Sequence, residues 1–299
     1  MPTARRPEPP PTYLDRLRGE LDELHRCYAK ILDASAIRNI DPNRGRSSGM
    51  VFVGAARWGW ALSDTDLERD RMMLLGSLRS WDVRFRLLFT APVPTVAKRI
   101  ENNLGLLRGW LVRKAGAHGV PSTIDAARAR VAEAVAELTG LLELMPPDPH
   151  PVRLVVDTNT LIDNPDLSVF TSQLGPGYLV HVLPVVLSEI DDLKRSGRTP
   201  ELREAAKRAD RRLKGLRDNG DVQVGARVAG EVYAIFDFRE PARDGLPGWL
   251  DLAVPDDRLV AGVLRLQSDH PGSALFIATG DLNLQNKLAA VGLPFIELP

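Results

Sequence analysis

The sequence lacks several features that would assign it to a broad class of protein. Cys27 is the one cysteine among 299 residues, which excludes an internal disulfide and a zinc site built from several thiolates. No apolar run approaches the roughly 20 residues that span a bilayer, and the charged, proline-rich start is no secretory signal. The 39 basic and 39 acidic residues balance, so the whole chain shows no charge preference for nucleic acid or membrane. We therefore expect a cytoplasmic protein without a membrane partner, whose binding surfaces are local.

What is present is a globular composition, with 44% hydrophobic and 26% charged residues, in a chain long enough for two domains. The clearest division is PPDPHP at 146–151, where four prolines in six residues prevent helix continuation and stiffen a short linker. We predict a disordered, Pro-rich segment over 1–11, a helical domain over 12–145, this linker, and a second domain over 152–299.

The segment 12–145 has a helical pattern. Its first apolar residues recur at alternating spacings of three and four, as in a seam that packs against another helix: Leu14, Leu17, Leu21, Leu24, Tyr28 and Ile31. Further helices are predicted over 64–89, over 95–114, and after a capping Ser122. The prediction is an all-α domain of unknown role, whose surface is a candidate for a protein partner, self-association or substrate positioning.

After the linker, short apolar strands alternate with helices. VRLVV (152–156), YLVHVLP (178–184) and SALFIAT (273–279) are apolar on both faces, as in a parallel sheet that helices cover on both sides. DVQV (221–224) is a further strand candidate. We therefore predict an α/β fold for this half. In such sheets, ligands bind beyond the carboxyl ends of the strands.

Acidic residues follow the predicted strand ends at four places. They are Asp157 after the first strand, Glu189 one turn into the helix after the second, Asp256 or Asp257 at the start of a later helix, and Asp281 after SALFIATG. If they converge on one edge of the sheet, their repulsion needs a cation, and ligands that are all oxygen select Mg²⁺ or Mn²⁺. Each also has a structural interpretation, because Asp caps helices and stabilises their first turn.

Four ordered blocks carry a resemblance to a known family: VVDTNTLID, LPVVLSEIDDLKRSG, PDDRLVAGVLRL and LFIATGDLNLQNKLAAVGLPFIEL. They resemble the motifs of PIN-domain nucleases, most closely those of the larger PIN branch found beside ATPase domains and in RNA-surveillance nucleases. The resemblance covers about residues 152–299 and does not extend to the N-terminal half. It implies a PIN-like parallel sheet flanked by helices, and a metal-dependent endoribonuclease that hydrolyses phosphodiester bonds of single-stranded RNA.

The resemblance also assigns roles to individual residues. Four acids would be catalytic and would hold one or two Mg²⁺ or Mn²⁺ ions: Asp157, Glu189, Asp257 and Asp281. Asp256 is the close rival of Asp257 as a metal ligand. Asn159 and Thr279 match small polar positions that support the acids. Hydrolysis would leave a 5′-phosphate and a 3′-hydroxyl.

A strongly basic segment lies within the same half. Residues 194–217 contain ten Lys or Arg against three acidic residues, a local excess of seven positive charges. The residues on one predicted helix face are Arg203, Lys207, Arg211 and Lys214. Contacts of this type to phosphates supply affinity without sequence information. A solvated helix face is the simpler interpretation, but beside a nuclease site we predict that this face binds RNA.

Two other functions remain open. One is a catalytically inactive RNA-binding or scaffold module, although the presence of all four acids argues against a decayed site. The other is a PIN-type toxin ribonuclease, although such toxins are usually little more than the bare domain and this chain has an additional helical half. Single-stranded DNA also remains open as a substrate.

Overall fold

The computed structural model describes residues 10–44, 57–113, 119–243 and 245–299. Their contacts separate two compact units, Leu14–Pro146 and Pro147–Pro299, the second of which also includes the described residues before Leu14. The division lies inside the proline-rich segment. That the two units are independent domains stays a prediction, and residues 1–9 of the predicted disordered segment lie outside the described part.

The unit Leu14–Pro146 is mainly helical, as predicted. Its helices are α1 (Tyr13–Asp33, of which Tyr13 belongs to the other unit), α2 (Thr65–Arg86), α3 (Pro94–Val112) and α4 (Ile124–Leu142), with a 3₁₀ turn at Leu87–Phe89. The sequence pattern did not predict the antiparallel pair of β1 (Ile37–Asn39) and β2 (Trp58–Trp60). Three residues per strand are too few to show an alternation of apolar and polar positions.

The core of this unit follows from the apolar seam of α1, which is buried except for the half-buried Leu14. Trp81 of α2 stacks on Phe85 with ring centroids 4.6 Å apart, and its indole N–H donates to the carbonyl of Leu17 at 2.9 Å. The hydroxyl of Tyr28 donates to the carbonyl of Leu107 at 2.9 Å. The polar ends of these large buried side chains are thus satisfied inside the core.

The unit containing Pro147–Pro299 has the predicted α/β fold. Its strands are β3 (Val152–Val156), β4 (Gly177–Val182), β5 (Ala226–Ala229), β6 (Glu231–Phe236), β7 (Ala274–Ala278) and β8 (Phe295–Ile296). Among the described residues they form one six-stranded sheet in the order β5-β6-β4-β3-β7-β8. Neighbouring strands are parallel except for the antiparallel pair β5-β6.

Helices cover this sheet. They are α5 (Thr158–Asp163), α6 (Thr171–Leu174), α7 (Pro184–Ser196), α8 (Pro200–Gly215), α9 (Pro255–Asp269) and α10 (Leu282–Ala290), with a 3₁₀ turn at Leu216–Asn219. Proline opens α7, α8 and α9, where its fixed φ suits the helix and its missing N–H leaves no bond unmade. Of the helices in the described residues, none combines the length and apolarity that a membrane span requires.

The predicted strand DVQV is wrong, because residues 222–224 form a turn and β5 begins at Ala226. Asp221 explains the difference. Its side chain accepts the N–H of Gln223 at 2.8 Å, and its carbonyl accepts the N–H of Gly225 at 2.8 Å. Such local bonds compete with the strand ladder and favour a turn.

The position of β3 between β4 and β7 determines where the first acid lies. The register pairs Val156 of β3 with Ala278 of β7, so the chain leaves both strands side by side. The N–H of Asp157 still bonds to the carbonyl of Ala278 at 3.1 Å. Asp157 and Thr279 are therefore neighbours at the carboxyl edge of the sheet.

Candidate active site

Asp157 is buried at the tip of β3, with 4% of its surface exposed. As the N-cap of α5, it accepts the N–H of Thr160 on Oδ1 at 2.6 Å and the hydroxyl of Thr279 on Oδ2 at 2.5 Å. The structural interpretation as a helix cap is therefore confirmed. It does not exclude a functional role, because a carboxylate has about four acceptor positions and these bonds use two.

Thr279 links Asp157 to Asp281. Its buried hydroxyl donates to Asp157 and accepts the backbone N–H of Asp281 at 3.1 Å. Asp281 in turn caps α10, because its Oδ1 accepts the N–H groups of Asn283 and Leu284 at 2.7 and 3.1 Å. Both acids lie at helix N-termini, where free N–H groups and the helix dipole favour negative charge.

Glu189 is supplied by α7, the helix that follows β4. Its Oε2 accepts the hydroxyl of Thr158 at 2.6 Å, which joins the helix after β4 to the segment after β3. Thr158 was not among the predicted supporting residues, although it lies between the predicted acid Asp157 and the predicted supporting residue Asn159.

Asp256 and Asp257 begin α9, and the structure gives them different surroundings. Asp257 is buried and its Oδ2 accepts the N–H of Asp251 at 2.9 Å. The ammonium of Lys287 on α10 lies 2.8 Å from Asp257 Oδ1 and 3.2 Å from Asp256 Oδ2. Lys287 is a residue that the sequence analysis missed. Lys287 lies three positions after Leu284, which lines the cavity at this edge of the sheet. Because residues three apart on a helix are neighbours, this spacing was a signal in the sequence that Lys287 lies near the site.

A cavity of about 400 Å³ opens at this edge of the sheet. Carboxylates from four separate segments line it: Asp157, Glu189, Asp256 and Asp281. Asn159 and Asp192 are also in its wall, whereas Asp257 is not among the described residues that line it. The structure thus brings together three of the four predicted acids, and contributes Asp256 from α9 where the family pattern favoured Asp257.

Burial and charge act differently on these acids. Burial raises the pKa of Asp157, the hydroxyl of Thr279 and the donors of Thr160 oppose the rise, and the nearby charge of Asp281 adds to it. For Asp257, burial is outweighed by the N–H of Asp251 and by Lys287, which hold its pKa below the usual value. Asp157 therefore lacks the neighbouring cation that Lys287 supplies to Asp257.

The donor set of the cavity fits a hard divalent cation, because its candidate ligands are side-chain oxygens, mainly of carboxylates, and no described residue in its wall is a histidine or cysteine. Across the described residues, no group of three or more His, Cys, Asp or Glu side chains is arranged so that it could already hold a metal ion. The chemistry of the ligands therefore fits Mg²⁺ or Mn²⁺, while the enclosing geometry is not preformed.

The basic helix α8 packs against α5, which follows Asp157, and against α7, which carries Glu189. The predicted face is partly occupied by internal partners. Arg203 donates to the carbonyl of Gly197 at 2.6 Å, Lys207 pairs with Glu204 at 2.6 Å, and Lys214 pairs with Asp210 at 2.8 Å. Four exposed arginines have side chains that form no hydrogen bond or ion pair with any residue that the structure describes: Arg198, Arg208, Arg211 and Arg217.

Comparison with known proteins gives one family. Residues 154–298, just under half of the chain, match the family model described as PIN domain, and the N-terminal half has no family match. No curated protein matches the chain.

Proposed function

We propose, on the premise that residues 154–298 belong to the PIN domain family of nucleases, that this domain is a metal-dependent endoribonuclease. Its reaction would be hydrolysis of phosphodiester bonds in single-stranded RNA, with Mg²⁺ or Mn²⁺ as the cofactor. The family membership supports nuclease chemistry in general, and the arrangement of the cavity supports the more specific proposal.

The convergence of carboxylates from four separate segments in one cavity is the observation that carries this proposal. Structural capping alone explains why Asp157 and Asp281 follow their strands, but it does not explain why Glu189 and Asp256 line the same space. Like charges kept together in a partly buried site raise its electrostatic energy, and proteins retain such an arrangement where a cation offsets the repulsion.

The chain's own residues would position the reacting groups. Asp157, Glu189 and Asp281 would hold the ion, with Asp256 in the wall of the same cavity. A bound Mg²⁺ or Mn²⁺ would stabilise the charge that develops on the phosphate and assist deprotonation of the attacking water. Thr279 and Thr158 would fix the carboxylates of Asp157 and Glu189, because each hydroxyl donates to one of their oxygens.

An acidic cavity repels RNA, so attraction has to come from another surface. Helix α8 is the best candidate, because it packs against α5 and α7 and carries exposed arginines whose side chains form no hydrogen bond or ion pair with a described residue. We assign phosphate binding to Arg208 and Arg211 of α8 ahead of Arg203, Lys207 and Lys214, whose charges already serve internal bonds.

Cleavage of end-labelled single-stranded RNA by the full chain tests the proposal. We expect cleavage with Mn²⁺ or Mg²⁺, none with excess chelator, and a loss of at least ~100-fold in Asp157→Asn, since one removed electrostatic contribution is worth about that much. Asp163→Asn is the matched control, because Asp163 is an exposed residue at the end of the same helix α5. It should cleave like the wild type.

Two results would contradict the proposal. Equal cleavage by wild type and Asp157→Asn would locate the activity outside this cavity. Metal-independent RNA binding without any cleavage would instead favour the inactive RNA-binding module, for which the pairing of Lys287 with the acids of α9 is the supporting observation.

A further inference from the structure

Lys287 places a permanent positive charge at one side of the acidic cavity. Its ammonium contacts both acids that begin α9, at 2.8 Å from Asp257 Oδ1 and 3.2 Å from Asp256 Oδ2. The lysine is half-buried, with 27% of its side chain exposed, and Asp257 is 10% exposed. Solvent and salt therefore screen this contact less than they would screen a surface ion pair.

Three other acids of the cavity wall have no such partner, whereas Asp192 pairs with Arg195 at 2.9 Å. Asp157, Glu189 and Asp281 accept hydrogen bonds from hydroxyl or backbone N–H groups, and none of them forms an ion pair with a residue in the described part of the chain. The negative charge in the cavity is consequently uneven. Asp157, Glu189 and Asp281 lack a cation, whereas Asp256 of the cavity wall shares Lys287 with its neighbour Asp257.

This asymmetry bears on how many metal ions the cavity accepts. A divalent ion approaching Asp256 would meet the repulsion of the ammonium and would have to displace it from both carboxylates. An ion approaching Asp157 and Asp281 would meet carboxylates that form no ion pair with a described residue, and its binding would offset the repulsion between Asp281 and Asp157. The two sides of the cavity should therefore differ strongly in metal affinity.

We propose that Lys287 takes the place of a second metal ion, so that the domain binds one divalent cation, held by Asp157, Glu189 and Asp281. This inference rests on the proposed metal-dependent nuclease function. Lys287 is a positioning residue in this account: it fixes Asp256 and Asp257 and sets the number of ions bound. Its charge completes the neutralisation that a second ion would otherwise supply.

The number of Mn²⁺ ions bound per chain tests the inference, measured by electron paramagnetic resonance of free Mn²⁺ during titration of the full-length protein. The wild type should bind one ion and Lys287→Arg, which keeps the charge, should also bind one. In Lys287→Met, a second ion should bind with a dissociation constant at least about tenfold lower than any second binding step of the wild type. The reason is that the repulsive ammonium next to Asp256 has been removed. Adding Asp256→Asn to Lys287→Met should abolish that second ion.

The outcomes separate this inference from the function beneath it. Two ions bound by the wild type with similar affinity would overturn the role of Lys287 and leave the metal-dependent nuclease intact. A Lys287→Met variant that binds one ion, with the thermal unfolding curve of the wild type, would overturn it as well. Absence of Mn²⁺ binding by the wild type would remove both proposals. If Lys287→Met does not fold, the wild-type stoichiometry and the variant Lys287→Gln decide the question.

Discussion

The hydroxyl of Thr279 joins Asp157 to Asp281, and its removal gives a sharp test of the site. Thr279→Val keeps the shape of the side chain but deletes the bond to Asp157 Oδ2 at 2.5 Å and the bond from the N–H of Asp281 at 3.1 Å. Thr279 is fully buried, so water does not replace either bond without rearrangement.

The expected cost follows from the two bonds. A hydrogen bond to a charged group contributes about 1.5–3 kcal/mol, and a neutral one about 0.5–1.5 kcal/mol. Because such contributions are not simply additive, we expect Thr279→Val to lower the free energy of unfolding of this unit by about 3 kcal/mol. In the wild type, the hydroxyl of Thr279 lowers the pKa of Asp157, so the pKa of that carboxyl should rise further in Thr279→Val.

Amide hydrogen exchange in β7 (Ala274–Ala278) is the suitable assay, because it reports the C-terminal unit without assuming that the whole chain unfolds in one step. A loss of about 3 kcal/mol accelerates exchange through unfolding by roughly 100-fold. Thr279→Ser restores the hydroxyl and should stay within a few-fold of the wild type. Equal exchange in Thr279→Val and wild type would refute the role given to this hydroxyl.

Two further predictions concern other parts of the domain. Burial lowers the pKa of His181 below its usual value, with help from the charge of Arg153 and against the opposing effect of Asp237. The native state therefore binds fewer protons than the unfolded state, and the free energy of unfolding should fall as pH drops below about 6.5. In urea unfolding, His181→Gln should reduce this dependence of stability on pH. Unchanged slopes would exclude His181 as the cause. Replacing Arg208 and Arg211 together by Gln should weaken RNA binding. It should also reduce the slope of the logarithm of the binding constant against the logarithm of the salt concentration by about 1.4. Lys207→Gln is the control, and its effect should be smaller because Lys207 is already ion-paired. An unaltered salt slope would exclude α8 from the RNA path.

The sequence was sufficient to predict the sheet and the edge at which the site lies. Runs such as VRLVV and SALFIAT are apolar on both faces and alternate with helices, as in a parallel sheet that helices cover on both sides. Once the strands are parallel, the residues after them must meet at one edge, and Asp157 and Asp281 do. The choice between Asp256 and Asp257 was not accessible in this way. Successive residues of a helix point about 100° apart, and the rotation of α9 depends on packing that a sequence pattern does not fix.

The basic helix shows a signal that the sequence contained and the charge count missed. Lys207 lies three residues after Glu204, and Lys214 lies four after Asp210, which are the spacings at which helical side chains pair. Counting net charge over 194–217 treated these lysines as free. The bond of Arg203 to Gly197 has a different origin, because it depends on the tight connection between α7 and α8. A β-carbon on Gly197 would lie 2.6 Å from the carbonyl of Leu193.

Element ends were predictable only to within a residue or two. Ser122 and Thr123 are adjacent hydroxyl residues, and the sequence analysis favoured Ser122 as the cap of α4. The structure uses Thr123, whose hydroxyl accepts the N–H of Ala126 at 3.2 Å. Either residue could perform this role chemically, so the choice depends on where the preceding chain turns.

The central claim is that acids from separate segments act together on one cation, and cleavage rates of Asp157→Asn, Asp281→Asn and the double variant test it most directly. When two residues act as a unit, removal of one already removes the effect of both. The cleavage rate of the double variant should therefore be within about threefold of the rate of the slower single variant. Losses that multiply in the double variant would show that Asp157 and Asp281 act independently, and the shared-cation account would be wrong.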